Sequence, residues 1–362
     1  MISRGVQLDR PAKLMVRATN WVGDAVLSLP ALEALRTSFP DTEIVVVAKP
    51  WVAELYAGHP GLFRLMVYDP AGEHRGRSGF GKFVEELRRE RFDAAILFQR
   101  AFHAAWMAWR ARVPVRVGYG TDGRAALLTE PVALPAPGHV GHQAAEYLEL
   151  LFRAGLIERR PRPAQPVNLL LTKAERRWAS EELKSLGLDG PRYFAGLNPG
   201  AAFGPAKRWP AERFAALGDR LVGALGADVL VFGSEAERPL AETVARRMQH
   251  TPVVLAGNTT LRQWMALTAR CRVVVANDSG PMHVAAALGV PVVAVFGSTD
   301  ERATGPLSHW ARVVRQPVAC SPCGLRECPL DLRCLSGVTV DQVHRAALEL
   351  VAAYESARQR QA

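Results

Sequence analysis

The sequence predicts an α/β protein built from two doubly wound, parallel-sheet, Rossmann-like domains facing a cleft. Three observations carry that expectation. Short apolar runs alternate with helix-length segments twice over, at residues 14–18, 44–48 and 94–98, then at 193–197, 229–233, 253–257, 273–277 and 292–297. This is the pattern of repeated β–α–β units. The 362 residues exceed one ordinary domain and suit two of roughly 150–200 residues each. Between the two sets lie a Pro/Arg-rich stretch at 159–166 and a polar helix-forming segment at 172–187. The expected division is therefore residues 1–175, residues 176–335, and a C-terminal helix at 336–362 that packs back towards the first domain.

Composition narrows the class of function. With 49% hydrophobic and 22% charged residues the chain can bury two cores, which excludes wholesale disorder. No apolar run approaches the ~18 residues of a membrane span. The N-terminus carries Arg4, Asp9, Arg10 and Lys13 in place of an apolar signal core. The expectation is a cytoplasmic protein that meets a membrane only peripherally. A formal charge of +10 favours a polyanionic partner: nucleic acid, an anionic membrane surface or a phosphorylated glycolipid. The basic and aromatic stacking array of a nucleic-acid binder is absent, so nucleic acid is the weakest of the three.

The first strand-like run leads into Thr19-Asn20-Trp21-Val22-Gly23-Asp24 and then an apolar-periodic helix at 25–39, where Pro30 implies a kink or a short first segment. Asp24 thus stands at a strand-to-helix junction, on the sheet edge where ligands bind in this fold class. It reads either as a helix N-cap or as a general base that takes the proton of an attacking hydroxyl. The Gly-rich segment at 69–82, with His74, Arg75, Arg77 and Lys82, lacks apolar periodicity and reads as a mobile basic loop. With Arg100, Arg110, Arg112, Arg116 and Arg124 further on, it offers contacts for a phosphorylated acceptor, Arg75, Arg77, Arg116 and Arg124 being the candidates. His139 and His142 precede a helical segment and read as capping or packing groups.

In the second half, the run at 193–197 opens into Asn198-Pro199-Gly200-Ala201-Ala202-Phe203-Gly204-Pro205-Ala206-Lys207-Arg208-Trp209-Pro210, a Gly/Pro-stiffened loop bearing two cations. The run at 273–277 passes straight into Asn277-Asp278-Ser279-Gly280-Pro281-Met282-His283 and an Ala-rich helix ending at Gly289. Such a turn aims unpaired backbone N–H groups and a helix dipole at one point, the arrangement that binds a diphosphate. Asp278 or Ser279 alternatively just caps the helix. Lys207 and Arg208 together with this turn read as a nucleoside-diphosphate clamp. Cys320, Cys323, Cys328 and Cys334 follow with spacing C-x2-C-x4-C-x5-C, which suits a structural zinc, free thiols or a disulfide, while Cys271 stands alone as a small apolar residue.

Asn20 to Asp24, Arg116 to Arg124, Pro199-Gly200 through Lys207-Arg208-Trp209-Pro210, Phe232-Gly233-Ser234 and Asn277 through Ala286 resemble, in order and over nearly the whole chain, the ADP-heptose:lipopolysaccharide heptosyltransferases of glycosyltransferase family 9. The nearest resemblance is to the heptosyltransferase II branch. It implies a GT-B architecture, with acceptor on the N-terminal domain and ADP-heptose on the C-terminal one. It also implies inverting transfer of heptose from ADP-L-glycero-D-manno-heptose to the heptosyl-Kdo inner core of lipopolysaccharide, with no cofactor required. Partners implied are ADP-heptose, a phosphorylated Kdo-lipid A core and the anionic inner-membrane surface. By resemblance Asp24 is the general base, Lys207 contacts donor phosphate, and Asp278, Ser279, Gly280, Pro281 and His283 form the turn that binds donor sugar and diphosphate. Glu235 matches a position that binds the donor ribose. The cysteine cluster departs from the family pattern. Alternatives are a heptosyltransferase I or III type, or a noncatalytic nucleotide-sugar or anionic-glycolipid binder, which has no need of a carboxylate at Asp24.

Overall fold

A computed structural model describes residues 8, 11–57, 59, 64–136, 141–158, 166–190 and 192–360. His139 and nearly all of the Pro/Arg-rich stretch lie outside the described residues. The chain divides into two compact units after residue 164.

The first unit runs β1 (Lys13–Arg17), α1 (Val22–Ser38), β2 (Glu43–Ala48), α2 (Pro50–Tyr56), β3 (Arg64–Val67), α3 (Gly76–Arg89), β4 (Ala94–Leu97), α4 (Phe102–Arg110), β5 (Val115–Tyr119), β6 (Glu130–Val132) and α5 (Gln143–Arg153). Its strands form one parallel sheet in the order β3-β2-β1-β4-β5-β6. Helices cover both faces, so the central strands are apolar throughout: Leu14, Met15 and Val16 of β1 and every residue from Ile44 to Ala48 of β2 are buried.

The second unit runs α6 (Lys173–Ser185), β7 (Tyr193–Asn198), α7 (Ala211–Leu225), β8 (Ala227–Val231), α8 (Arg238–Arg247), β9 (Val253–Val254), α9 (Leu261–Thr268), β10 (Val273–Asn277), α10 (Gly280–Ala287), β11 (Val292–Phe296), α11 (Glu301–Thr304), β12 (Ala311–Arg315), α12 (Arg333–Ser336) and α13 (Val340–Gln359). Its parallel sheet is ordered β12-β11-β10-β7-β8-β9. The expected fold class is therefore found in each half. In both sheets the winding reverses once, between β1 and β4 in the first and between β7 and β10 in the second. The loops leaving those strands diverge there and open a crevice at the carboxyl edge.

Three expectations need correcting. Residues 76–89 are helical, because Phe80, Phe83, Val84 and Leu87 recur at helical spacing and are all buried; only the first part of the 69–82 segment is loop. Helix α1 runs through Pro30 as one helix, so the short first segment is not found. The boundary falls ahead of residue 175, since α6 belongs to the second unit: the Leu169 amide donates to the Ala287 carbonyl at 2.8 Å and Glu175 pairs with Arg262 of α9. Helix α13 closes the core of the second unit, burying Val343, Ala347, Leu350 and Val351 against α7 and β10–β12. Its apolar stripe fits that sheet face, and its start is set by a capping box of Thr339 and Gln342. No helix of the described residues is long and apolar enough to cross a membrane.

The Arg262 guanidinium grips Glu175 through Nε at 2.6 Å and Nη2 at 2.7 Å. This contact, ahead of the Thr172 bonds of the capping box, holds the Glu175 carboxyl below the usual carboxylate range. A depressed carboxylate pKa adds stability that is present above the unfolded value and lost as pH falls through the folded one. Arg262→Ala is expected to cost about 1–2 kcal/mol at pH 7, with the gap to wild type closing on acidification below roughly pH 4. Urea melts of both proteins across that range check it; a gap that does not change with pH removes the pair from the fold's stability.

Candidate active site

In the second unit both flanks of the β7–β10 crevice are organised by one amide. Asn277 ends β10 and is fully buried. Its Nδ2 donates to the Pro199 carbonyl at 2.8 Å and the Gly200 carbonyl at 3.3 Å, while its Oδ1 accepts from the Trp209 amide at 2.9 Å. One side chain thereby clamps the two ends of the loop that leaves β7. Trp209 is itself buried, with Nε1 donating to the Val338 carbonyl at 3.0 Å. Arg208 folds back on the loop, donating to the Ala201 carbonyl at 3.2 and 3.3 Å. At Gly204 a Cβ would stand 2.4 Å from the Arg326 carbonyl oxygen, so the backbone passes too close for any other residue.

Lys207 is what this loop presents. Its Nζ sits 2.5 Å from Asp278 Oδ2 and 4.8 Å over the Phe203 ring, with 12% of the lysine side chain and 4% of the aspartate exposed. The Thr299 hydroxyl donates to the same Asp278 oxygen. Helix α10 begins two residues after Asp278, and no side chain caps it: the hydroxyl of Ser279, at the cap position, donates back to the Asn277 carbonyl at 3.2 Å. The alternative in which Asp278 or Ser279 merely caps the helix is therefore not what the structure contains. Gly280 and Pro281 open the first turn half-exposed, and His283 is buried within it. The result is an ammonium group beside an uncapped helix N-terminus, which suits a phosphate or diphosphate.

Glu235 lies beyond β8, the strand next to β7, and is 73% exposed. Arg238 pairs with it at 2.8 Å and lowers its pKa, and the same guanidinium bonds Asn258. Gly257 is required here, since a Cβ would meet Glu235 Oε2 at 2.1 Å and its φ is +73°. The carboxylate is thus held at the carboxyl edge with a solvent-facing side.

In the first unit Asp24 is the third residue of α1, in the turn leaving β1 at the sheet's reversal point. The cap position belongs to Trp21, whose side chain makes no capping bond, so Asp24 is not the N-cap. Its Oδ1 accepts from Gln143 Nε2 of α5 at 3.0 Å. Two buried phenols feel its charge: burial chiefly, and Asp24 in addition, raise Tyr56 to about 12 and push Tyr147 well above the usual tyrosine value. A half-exposed carboxylate, oriented by an amide and flanked by phenols that stay protonated, is equipped to receive a proton.

Other candidate residues fall elsewhere. Arg124 is completely buried and ties Tyr119, Gln99 and Ala101 carbonyls together, while Arg116 bonds the carbonyls of Leu127, Val113 and Pro114. Most of their donors are spent on backbone carbonyls, although the buried Arg124 Nη2 has no partner. His74 is buried, its Nδ1 accepting from the Asp69 amide at 2.9 Å. Arg75 and Arg77 remain exposed at the start of α3. Cys320, Cys323, Cys328 and Cys334 do line one cavity of about 20 Å³, yet they and Cys271 are free thiols, and among the described residues no group of three or more His, Cys, Asp or Glu is placed to hold a metal ion. Cys320 and Cys323 are exposed whereas Cys334 is buried. Sequence reasoning missed the role of Gln143, which carries no local signal 119 residues from its partner, and of Asn277, whose place at a strand end before the turn was a signal.

The profile of glycosyltransferase family 9 (heptosyltransferase) matches residues 80–333. The chain is 32% identical over 313 residues to lipopolysaccharide heptosyltransferase 2 of Escherichia coli K12, covering 84% of this chain and 88% of that protein. Among solved structures it is similar to the E. coli ADP-heptose lipopolysaccharide heptosyltransferase II, with a TM-score of 0.79, 28% identity and coverage of 95% and 99% of the two chains. It is likewise similar to a family 9 glycosyltransferase from Veillonella parvula, with a TM-score of 0.83, 27% identity and coverage of 96% and 99%. With two doubly wound parallel sheets and these matches, the chain belongs to glycosyltransferase family 9 and is a glycosyltransferase.

Proposed function

We propose that this enzyme moves heptose from ADP-L-glycero-D-manno-heptose to the heptosyl-Kdo inner core of lipopolysaccharide, with inversion at the anomeric carbon. The observation that carries the reading is the Lys207–Asp278 pair at the uncapped head of α10, in a chain 32% identical to a lipopolysaccharide heptosyltransferase. Asp24 accepts the proton of the acceptor hydroxyl as its oxygen bonds to the anomeric carbon. The bond from that carbon to the diphosphate oxygen breaks, and both electrons leave with ADP. Lys207 and the first-turn amides of α10 offset the charge gathering on the leaving group, which is electrostatic work that needs no divalent cation. Glu235 is placed to accept from the ribose hydroxyls. The +10 charge supports a peripheral association with the anionic cytoplasmic face of the inner membrane, where the phosphorylated acceptor resides.

The direct test is a mass-spectrometric transfer assay with ADP-heptose and truncated cores carrying zero or one heptose. Addition to the one-heptose core alone is expected; addition only to the core without heptose makes this a heptosyltransferase I type. Asp24→Asn is expected to keep the fold and ADP binding but lower single-turnover transfer by ~10²-fold or more. Near-normal transfer in a folded variant would reduce Asp24 to a structural residue.

Lys207→Ala should weaken ADP binding about tenfold or more. Arg208→Ala, whose guanidinium is spent on the Ala201 carbonyl, should have the smaller effect. Lys207→Ala also strands the buried Asp278 carboxylate, so its Tm should fall. Adding Asp278→Asn should restore Tm without restoring ADP affinity. Calorimetry and thermal melts separate the two effects, and an unaltered ADP affinity takes Lys207 out of the donor site. Transfer should survive EDTA; a loss that Mg²⁺ reverses contradicts the cation-independent mechanism.

A further inference from the structure

At the carboxyl edge of the first sheet, two cationic side chains, Arg17 and Lys49, gather with the imidazole of His103. Arg17 ends β1 and is 1% exposed. It is held only by neutral oxygens: Nη1 donates to the Ala18 carbonyl at 2.7 Å and the Val47 carbonyl at 3.1 Å, and Nη2 to Asn20 Oδ1 at 3.1 Å. Its Nε has no partner. Lys49 leaves the end of the neighbouring strand β2, two residues past Val47, which pairs with Arg17 in the ladder. It lies 4.8 Å over the half-exposed Trp51 ring, and Trp51 Nε1 donates to the Asn20 carbonyl at 2.8 Å. His103 enters from the first turn of α4, beyond β4, whose end is tied to Arg17 by the Phe98 amide at 3.1 Å. Its ring stacks against Tyr68 at 5.7 Å, and the Tyr68 amide donates to the Ala48 carbonyl.

Electrostatics agree with this geometry. Burial pulls Arg17 down to about 10. Burial and then the charge of Arg17 lower Lys49; burial, then Arg17, then Lys49 lower His103. Among the described residues no carboxylate pairs with Arg17 or Lys49. A buried cation with neutral partners and cationic neighbours is destabilising as it stands and is relieved when an anion arrives. Tyr56 feels both Arg17 and Asp24, which sets the cluster next to the proposed base.

We propose that Arg17, Lys49 and His103 form an anion subsite that binds an acidic group, carboxylate or phosphate, of the acceptor sugar chain beside Asp24. The identification of the anion's owner rests on the function proposed above. Lys49 supplies a movable charge at the rim, Arg17 its free Nε–H within, and His103 a ring N–H in its neutral form.

Arg17 is buried, so its variants risk misfolding and Lys49→Gln is the informative change. With a one-heptose core, Lys49→Gln should raise the acceptor KM about tenfold, leave kcat within about threefold and the ADP-heptose KM within about twofold. Lys49→Arg should restore most of the loss. Two further acceptors separate the sources, one with its phosphates removed and one with its carboxylates reduced to alcohols. The one carrying the anion's loss should have a high KM in wild type that Lys49→Gln no longer changes. An acceptor KM unchanged by Lys49→Gln on every acceptor overturns the subsite. If the enzyme transfers heptose to none of these cores, the functional reading fails and inorganic phosphate decides the subsite. With saturating ADP present, phosphate should give a saturable change in tryptophan fluorescence in wild type that Lys49→Gln abolishes; the same response in both proteins, or none in wild type, overturns it.

Discussion

The donor side of the enzyme hangs on the buried amide of Asn277. A loop of glycine, alanine and proline has no core of its own, and left to itself it would sample many conformations. Asn277 removes that freedom by bonding carbonyls at one end of the loop and an amide at the other, from the last position of the strand that β7 pairs with. Lys207 is therefore delivered to Asp278 and the head of α10 by the same residue that ends β10. The polar groups of this clamp are buried and satisfied, so they are worth more than exposed bonds and fix one geometry. A phosphate site built this way is preorganised before any ligand enters.

Both units use one topological rule for different chemistry. A parallel sheet that reverses its winding once leaves a crevice at a single place on its carboxyl edge. In the second unit that place holds a lysine and an uncapped helix; in the first it holds Asp24, two buried phenols and a cluster of cations around Arg17. In the reaction proposed above, the base stands among groups that keep their protons, and the leaving group meets positive charge already in position.

Much of this was legible in the sequence, for identifiable reasons. Strands buried on both faces are continuous apolar runs, so β1, β2, β4, β7, β8, β10 and β11 stand out, and the half-buried edge strand β9 is legible with them. The edge strands β3, β6 and β12 do not, being short or half-exposed, and β5 is broken up by Arg116 and Gly118. The Asp24 and Asp278 turns were readable because strand, turn and helix are contiguous. What could not be read was the direction in which arginines point: Arg116, Arg124 and Arg17 look alike in sequence, and only packing shows which backbone carbonyls each one holds.

The central claim is that Asn277 places Lys207 for phosphate, and a double-mutant cycle on ADP affinity measures it most directly. Calorimetric titration of wild type, Asn277→Ala, Lys207→Ala and the double variant, all verified as folded, gives the coupling. If the loop clamp acts through Lys207, each single change weakens ADP to a similar degree and the double variant is little worse than either. Losses that simply add, or an Asn277→Ala protein that binds ADP like wild type, would contradict the account.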